Sequence, residues 1–268
     1  MKKESKFRKF AREQRFIHEL TPFEHIILWG GCAASLTIFI VQVCLYHEAV
    51  KDWATWFTLV ATITSILFAV SGGKKRVICP LFGLIGAILL LATSWKNYLY
   101  GLMIMQFVNI VTQTTSLILW FKHSSRTYTI EPKGLKPWFI VIYMSIFIGL
   151  AFLFAWLEHF EWFYKFWSGG SQKSAHPYHI RIFESLGLML ILSGVYPMVQ
   201  GYKLIWYIYL VADVFQALTW AFTAVGHLNG DSPHMVFTCW ATFASTICLM
   251  ISCFVPILGW RKKPTDLR

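Results

Sequence analysis

Long apolar runs, each near the 20 residues that a bilayer core demands of a helix, alternate along this chain with short polar breaks. Eight such runs lie at roughly 25–46, 53–71, 77–95, 98–121, 137–157, 180–199, 204–226 and 234–260. The breaks contain SGGKKR, WKN, a longer polar loop at 122–136, a loop at 158–179 with SGGSQKS, then QGYK and HLNGDSP. Glycine, proline and asparagine are ordinary helix breakers at such points. The pattern predicts an all-α integral membrane protein of eight transmembrane helices.

Composition sharpens this reading. Hydrophobic residues fill 56% of the 268 positions and charged residues only 14%, with a mean hydropathy of +0.54. A soluble domain carries nearer a quarter charged residues, so a water-soluble enzyme is excluded. The net charge of +11 raises nucleic acid as a partner, but the basic residues sit between apolar runs and not on one amphipathic face. That placement is an orientation signal for a membrane, and no nucleic-acid partner is expected. With the N-terminus cytoplasmic, 19 of the 24 Lys and Arg fall on the inside, and five (Lys51, Lys96, Lys165, Lys173 and Arg181) fall outside. The positive-inside rule then predicts both termini in the cytoplasm, as an even number of spans requires. A multi-pass protein of the bacterial cytoplasmic (inner) membrane is expected, with no cleavable signal ahead of Glu24 and His25.

Trp29, Trp53, Trp56, Trp95, Trp120, Trp138, Trp156 and Trp260 lie near predicted span ends, where an aromatic belt belongs. The six cysteines, Cys32, Cys44, Cys79, Cys239, Cys248 and Cys253, form no CxxC pair and mostly fall inside apolar runs. Buried free thiols are expected, not disulfides or a zinc site.

The last seven spans divide as three, one, three. Residues 53–121 form a first three-helix repeat, 137–157 a linker helix and 180–260 a second repeat of the same orientation. LILWFK (117–122) and ILGWRK (257–262) end corresponding helices. Residues 1–24 are then a basic cytoplasmic segment, 25–46 an extra N-terminal helix outside the repeat, and 261–268 a cytoplasmic tail.

Polar residues inside the spans are unevenly spread. The seventh span, containing WYIYLVAD (206–213), carries Trp206, Tyr209, Asp213, Gln216 and Trp220 at spacings that form one face of a 3.6-residue helix. In the fourth span Gln106, Asn109 and Gln113 repeat the i, i+3, i+7 spacing, beside Thr112 and Thr115. Amides and hydroxyls of this kind often only bridge helices. Asp213 is different: it lies about 10 Å along the helix from Trp206, and a carboxylate at that depth costs about 2.5–3.5 kcal/mol on the mildest insertion scale. An acid held there marks a solute path or a proton relay. Indoles, a phenol, amides and one acid suit a flat polar heterocycle with hydroxyls, and a cationic ring gains from both π faces and carboxylate. The predicted substrate-binding set is Trp206, Tyr209, Asp213, Gln216, Trp220, Gln113, Asn109 and Gln106, with no catalytic residue, no metal and no cofactor.

Trp206-x-x-Tyr209-x-x-x-Asp213 resembles the Trp-x-x-Trp-x-x-x-Asn/Asp signature of PnuC-type vitamin transporters. Gln113, seven residues before Trp120 and followed by a basic loop, is similar to that family's glutamine on the third core helix. The likeness spans about residues 53–262 and includes the three-one-three order. It implies facilitated diffusion of nicotinamide riboside, a precursor of NAD, with no ion gradient and with trapping by a cytoplasmic ribosylnicotinamide kinase. Two departures stand out: Tyr209 replaces the second tryptophan, and Gln106 stands where the family usually has asparagine. Relatives in the family carry thiamine, riboflavin or deoxynucleosides, so the exact vitamin and any oligomer stay open.

Three rival readings follow from the residues alone. An intramembrane enzyme needs a nucleophile, base or metal cluster near an interface, and none stands at usable spacing. A proton-coupled transporter would use Asp213 with Glu184, although Arg181 three residues earlier offers Glu184 a surface partner. A membrane scaffold leaves the aromatic and acidic stripe without a purpose. His176 and His179 in HPYH are ordinary loop residues without a third ligand.

Overall fold

The computed structural model describes residues 16–96, 100–124, 129–157, 160, 163, 178–227 and 233–261. Eight long helices account for most of them: α1 (Pro22–Leu45), α2 (Trp53–Gly73), α3 (Cys79–Lys96), α4 (Tyr100–His123), α5 (Pro137–Leu157), α6 (Tyr178–Gln200), α7 (Leu204–His227) and α8 (Pro233–Ser252). A short α9 (Phe254–Arg261) follows. Among the described residues, six segments are long and apolar enough to cross a membrane, while Cys79–Thr93 in α3 and Ser185–Gln200 in α6 are shorter apolar stretches. The expected residues 1–15 of the basic segment, His176 and the tail beyond 261 lie outside the described residues, as do the side chains of His179, Arg181 and Glu184.

The predicted span at 234–260 contains one membrane-capable segment, Cys239–Trp260, with a single turn residue, Cys253, interrupting the helix between Ser252 and Phe254. Pro256 is the cause, since it has no N–H for the carbonyl of Ser252 and its ring crowds that carbonyl. The backbone turns at Cys253 and restarts as α9.

Local chemistry explains the helix ends. Thr21 and Glu24 form a capping box at the start of α1, with Thr21 N donating to Glu24 Oε2 at 2.6 Å and Glu24 N to Thr21 Oγ1 at 3.3 Å. Glu24 also pairs with Lys74 Nζ at 2.7 Å, and Glu19 pairs with Arg76, so α1 is tied to the turn after α2. Apolar packing of Phe16, Leu20 and Leu28 on Ile66 and Val70 completes that contact.

Two helix-to-helix turns are built alike. After α2, Lys75 adopts φ 57°, with Lys75 N donating to Gly72 O at 2.8 Å and Arg76 N to Ser71 O at 3.2 Å. After α6, Gly201 adopts φ 71°, with Gly201 N donating to Met198 O at 3.1 Å and Tyr202 N to Pro197 O at 2.8 Å. Both are Schellman caps. The next helix then starts in the same way, with Cys79 N on Arg76 O at 3.1 Å and Ile205 N on Tyr202 O at 3.2 Å. Every partner in the second turn stands at one constant separation in sequence from its counterpart in the first. A single loop joins the two turns: Ile130 N donates to Lys75 O and Lys133 N to Gly201 O, each at 3.0 Å.

The helices close into a ring. α2 packs on α3, α3 on α4, α4 on α6, α6 on α7, α7 on α8, and α8 with α9 returns to α2. α5 lies outside against α6, and α1 lies outside against α2 and α8.

Trp29, Trp53, Trp56, Trp95, Trp138 and Trp156 are exposed on this surface, as belt residues are. Trp120 and Trp260 are not belt residues, contrary to expectation: they are 3% and 1% exposed and sit in the central apolar cluster with Trp206. Each satisfies its indole N–H on a carbonyl across the ring. Trp120 donates to Met198 O at 3.2 Å, and Trp260 donates to Gly72 O, the matching position of the first turn. Buried indoles need such partners, and the ends of α6 and α2 supply them.

Candidate functional site

On α7 the residues Tyr207, Val211, Val214, Leu218, Phe222 and Val225 are exposed and form one apolar face. At about 100° per residue, the stripe of Tyr209, Asp213, Gln216 and Trp220 lies roughly 165° around the helix from that face. The acid therefore points into the helix ring and not toward lipid tails. Burial changes after the first residue of the stripe. Trp206 is fully buried, whereas Tyr209, Asp213, Gln216 and Trp220 keep part of their surface accessible. The stripe is sealed at Trp206 and partly accessible beyond it.

α4 faces this stripe in an antiparallel register. Gln113 Nε2 approaches Tyr209 Oη at 3.5 Å, and two helical turns further along Met105 Sδ meets Gln216 Nε2 at 3.5 Å. Gln106 and Gln113 are buried and Asn109 is half-buried. Asn109 Nδ2 donates to Gln106 Oε1 at 3.3 Å, so these two amides orient each other along α4. The eight predicted residues thus fall on two facing helices. Gln113 is in direct reach of Tyr209, and Gln216 meets α4 through Met105. Among the described residues, no group of three His, Cys, Asp or Glu stands close enough together to hold a metal.

Asp213 has a partner on the broken helix. The Cys253 thiol donates to Asp213 Oδ2 at 3.6 Å, from the turn that Pro256 creates. None of the six cysteines is in a disulfide, and Cys79, Cys239 and Cys253 are buried.

Aromatic contacts form the sealed end. Phe68 on α2 lies 5.3 Å from the Trp206 ring and 5.9 Å from Tyr209, and Trp206 lies 5.6 Å from Trp260. These tilted and edge-on geometries are the favourable ones for ring pairs. Two polar atoms at this floor, the Trp206 Nε1 donor and the Gln113 Oε1 acceptor, are buried without a hydrogen-bond partner. Native interiors rarely leave such atoms unpaired, since each costs about 1–3 kcal/mol.

Phe68, Met105 and Cys253 escaped the sequence reading. An apolar residue in an apolar helix looks like lipid-facing or core packing, and only the neighbour it meets distinguishes the cases. Cys253 carried a partial signal, because Pro256 three residues later disfavours a continuous helix at that point.

Three comparisons bear on this arrangement. The family model described as "Nicotinamide mononucleotide transporter" matches residues 55–262. A "Nicotinamide riboside transporter PnuC" from Neisseria mucosa is 31% identical over 113 residues, which cover 39% of this chain and 43% of that protein. The chain thus matches less than half the length of that relative. In overall fold the protein is similar to the "Crystal structure of the Vitamin B3 transporter PnuC", with a TM-score of 0.65 over 98% of both chains and 20% identity. The family match extends from the second residue pair of α2 to just past α9 and takes in both faces of the site, so this chain belongs to the nicotinamide mononucleotide transporter family.

Proposed function

We propose that this chain imports nicotinamide riboside across the bacterial cytoplasmic membrane by facilitated diffusion, with both termini inside and a cytoplasmic ribosylnicotinamide kinase trapping the product. One observation carries the reading: the face of α7 with Tyr209, Asp213, Gln216 and Trp220 turns away from the lipid-exposed face and toward the amides of α4. A carboxylate held inside such a ring is a functional group by default, because its cost in the bilayer needs a return. A pyridinium ring gains from that carboxylate and from the aromatic faces beside it. The unpaired donor on Trp206 and acceptor on Gln113 suit a ligand group that offers both, as a primary carboxamide does. The names of the Neisseria relative and of the solved structure support the same vitamin.

The helix order is read as one extra N-terminal helix followed by three, one and three. Support comes from the two matching turns and from the indole bonds of Trp120 and Trp260 to corresponding carbonyls. A parallel repeat of this kind places a substrate site at the interface of its halves, where α4 and α7 meet. The asymmetry of basic residues, 19 of 24 on one side, supports the cytoplasmic termini.

Calorimetric titration of the purified protein with nicotinamide riboside, thiamine, riboflavin and a deoxynucleoside tests the substrate. Nicotinamide riboside is expected to bind best, and Asp213→Ala and Gln113→Ala are each expected to weaken it by about tenfold or more, the loss of a charge-assisted or buried hydrogen bond. Unchanged binding by both variants, with another vitamin preferred, overturns site and substrate together. Uptake into proteoliposomes tests the transport mode: a protonophore should leave the initial rate unchanged, and a collapse of uptake would point to coupling through Asp213.

A further inference from the structure

The two Schellman turns define a residue-by-residue correspondence between α2–α3 and α6–α7. Lys75 matches Gly201, Gly72 matches Met198 and Cys79 matches Ile205, each pair making the same backbone bonds. Carried along the two uninterrupted helices that follow, the same register matches Pro80 to Trp206, Gly83 to Tyr209 and Ala87 to Asp213. Where α7 presents an indole, a phenol and an acid, α3 presents a proline and two of the smallest side chains. Of these two corresponding helices, α7 carries site side chains and α3 makes room for them.

Gly83 shows what fills that room. A Cβ on Gly83 would lie 2.8 Å from Gln113 Cδ, 3.0 Å from Gln113 Oε1 and 3.0 Å from Phe68 Cδ2. Both neighbours go on to touch Tyr209, Gln113 through its Nε2 and Phe68 through its ring. The Gln113 amide carbon and its unpaired Oε1 both lean on the glycine. From this we infer that Gly83 is a specificity-determining position: the missing side chain sets how deep the Gln113 amide and the Phe68 ring sit, and so sets the space in front of Tyr209. The inference rests on the substrate-site reading proposed above. It concerns a positioning residue, since Gly83 acts through Gln113 and has no polar side chain of its own.

A methyl group at residue 83 pushes the Gln113 amide toward Tyr209, because the α3 backbone on the other side cannot yield. Shortening Gln113 by one methylene withdraws the amide from that methyl. The two changes are therefore coupled, as residues sharing one contact are.

The experiment is a double-mutant cycle of Gly83→Ala and Gln113→Asn, read by calorimetric binding of nicotinamide riboside and by thermal unfolding without ligand. Gly83→Ala alone is expected to weaken binding at least tenfold, and the double variant is expected to bind no more weakly than Gln113→Asn alone. The unfolding midpoint should likewise fall less for Gly83→Ala in the Gln113→Asn background than in the parent. Parental affinity in Gly83→Ala, or additive losses in the double variant, overturns the inference. If Gly83→Ala does not fold, recovery of folded protein in the double variant supports it, and failure of both overturns it. If the parent does not bind nicotinamide riboside, the substrate reading fails by itself. The cycle is then run with whichever of thiamine, riboflavin or the deoxynucleoside binds, and non-additivity in the ligand-free midpoint still decides for or against the role of Gly83.

Discussion

Gly259→Ala is expected to lower the unfolding midpoint more than any other single added methyl group in the ring, with a loss of roughly 3 kcal/mol or more. A Cβ at residue 259 would lie 2.3 Å from the Gly73 carbonyl oxygen and 3.0 Å from its carbon. On the facing side, a Cβ at Gly73 would meet Val255 Cγ1 at 2.7 Å. α2 and α9 thus cross backbone to backbone with glycine on both sides, a contact that membrane helices use to gain packing when water provides no hydrophobic drive. A side chain can change rotamer to relieve a clash, but a carbonyl in a helix cannot. The neighbouring Trp260 bond to Gly72 O would be strained by the same displacement. Gly149→Ala is the matched control, because nothing lies within 4 Å of its Cβ position. Alanine there should be neutral or stabilising by up to about 1 kcal/mol through helix propensity alone. Thermal unfolding of both variants in one detergent checks the contrast, and equal midpoints would disprove the close crossing.

Trp206→Ala is expected to cost about 3–5 kcal/mol of stability, as large-to-small changes of buried tryptophan do. The indole has no exposed surface and packs on Phe68, Tyr209 and Trp260. It also presses on the end of α2, where a Cβ at Gly72 would fall 2.4 Å from its ring. Binding of nicotinamide riboside should fall by roughly 10- to 100-fold in the same variant, the range for an aromatic ring that supports a stacked heterocycle. Trp206→Phe separates the two contributions. It restores most of the packing but removes the unpaired Nε1 donor. If that donor meets the substrate, Trp206→Phe recovers much of the stability yet still binds about tenfold more weakly. Parental affinity in Trp206→Phe would assign the tryptophan to packing alone.

Trp206 also marks where the two kinds of information part. As read from spacing, it belongs with Tyr209 and Asp213 on one open face. In the folded ring it is the floor beneath them, closed by Trp120 and Trp260, which sequence spacing assigns to the membrane surface. A tryptophan near a span end looks the same in either role. Its neighbours decide, and they come from helices far away in the chain.

What the amino-acid order determines by itself here is the membrane character, the helix runs and the presence of one polar stripe on the seventh helix. These depend on local physics: the length of apolar runs, the 3.6-residue period and the cost of a carboxylate in lipid act within one segment. Tertiary structure alone decides that the stripe faces Gln113 and Met105, that Cys253 holds Asp213, and that Gly72, Gly73, Gly83 and Gly259 permit close approach. Small and apolar side chains carry no chemical signature, so their meaning lies in the space they leave for a distant neighbour. That space exists only once the ring of helices has closed.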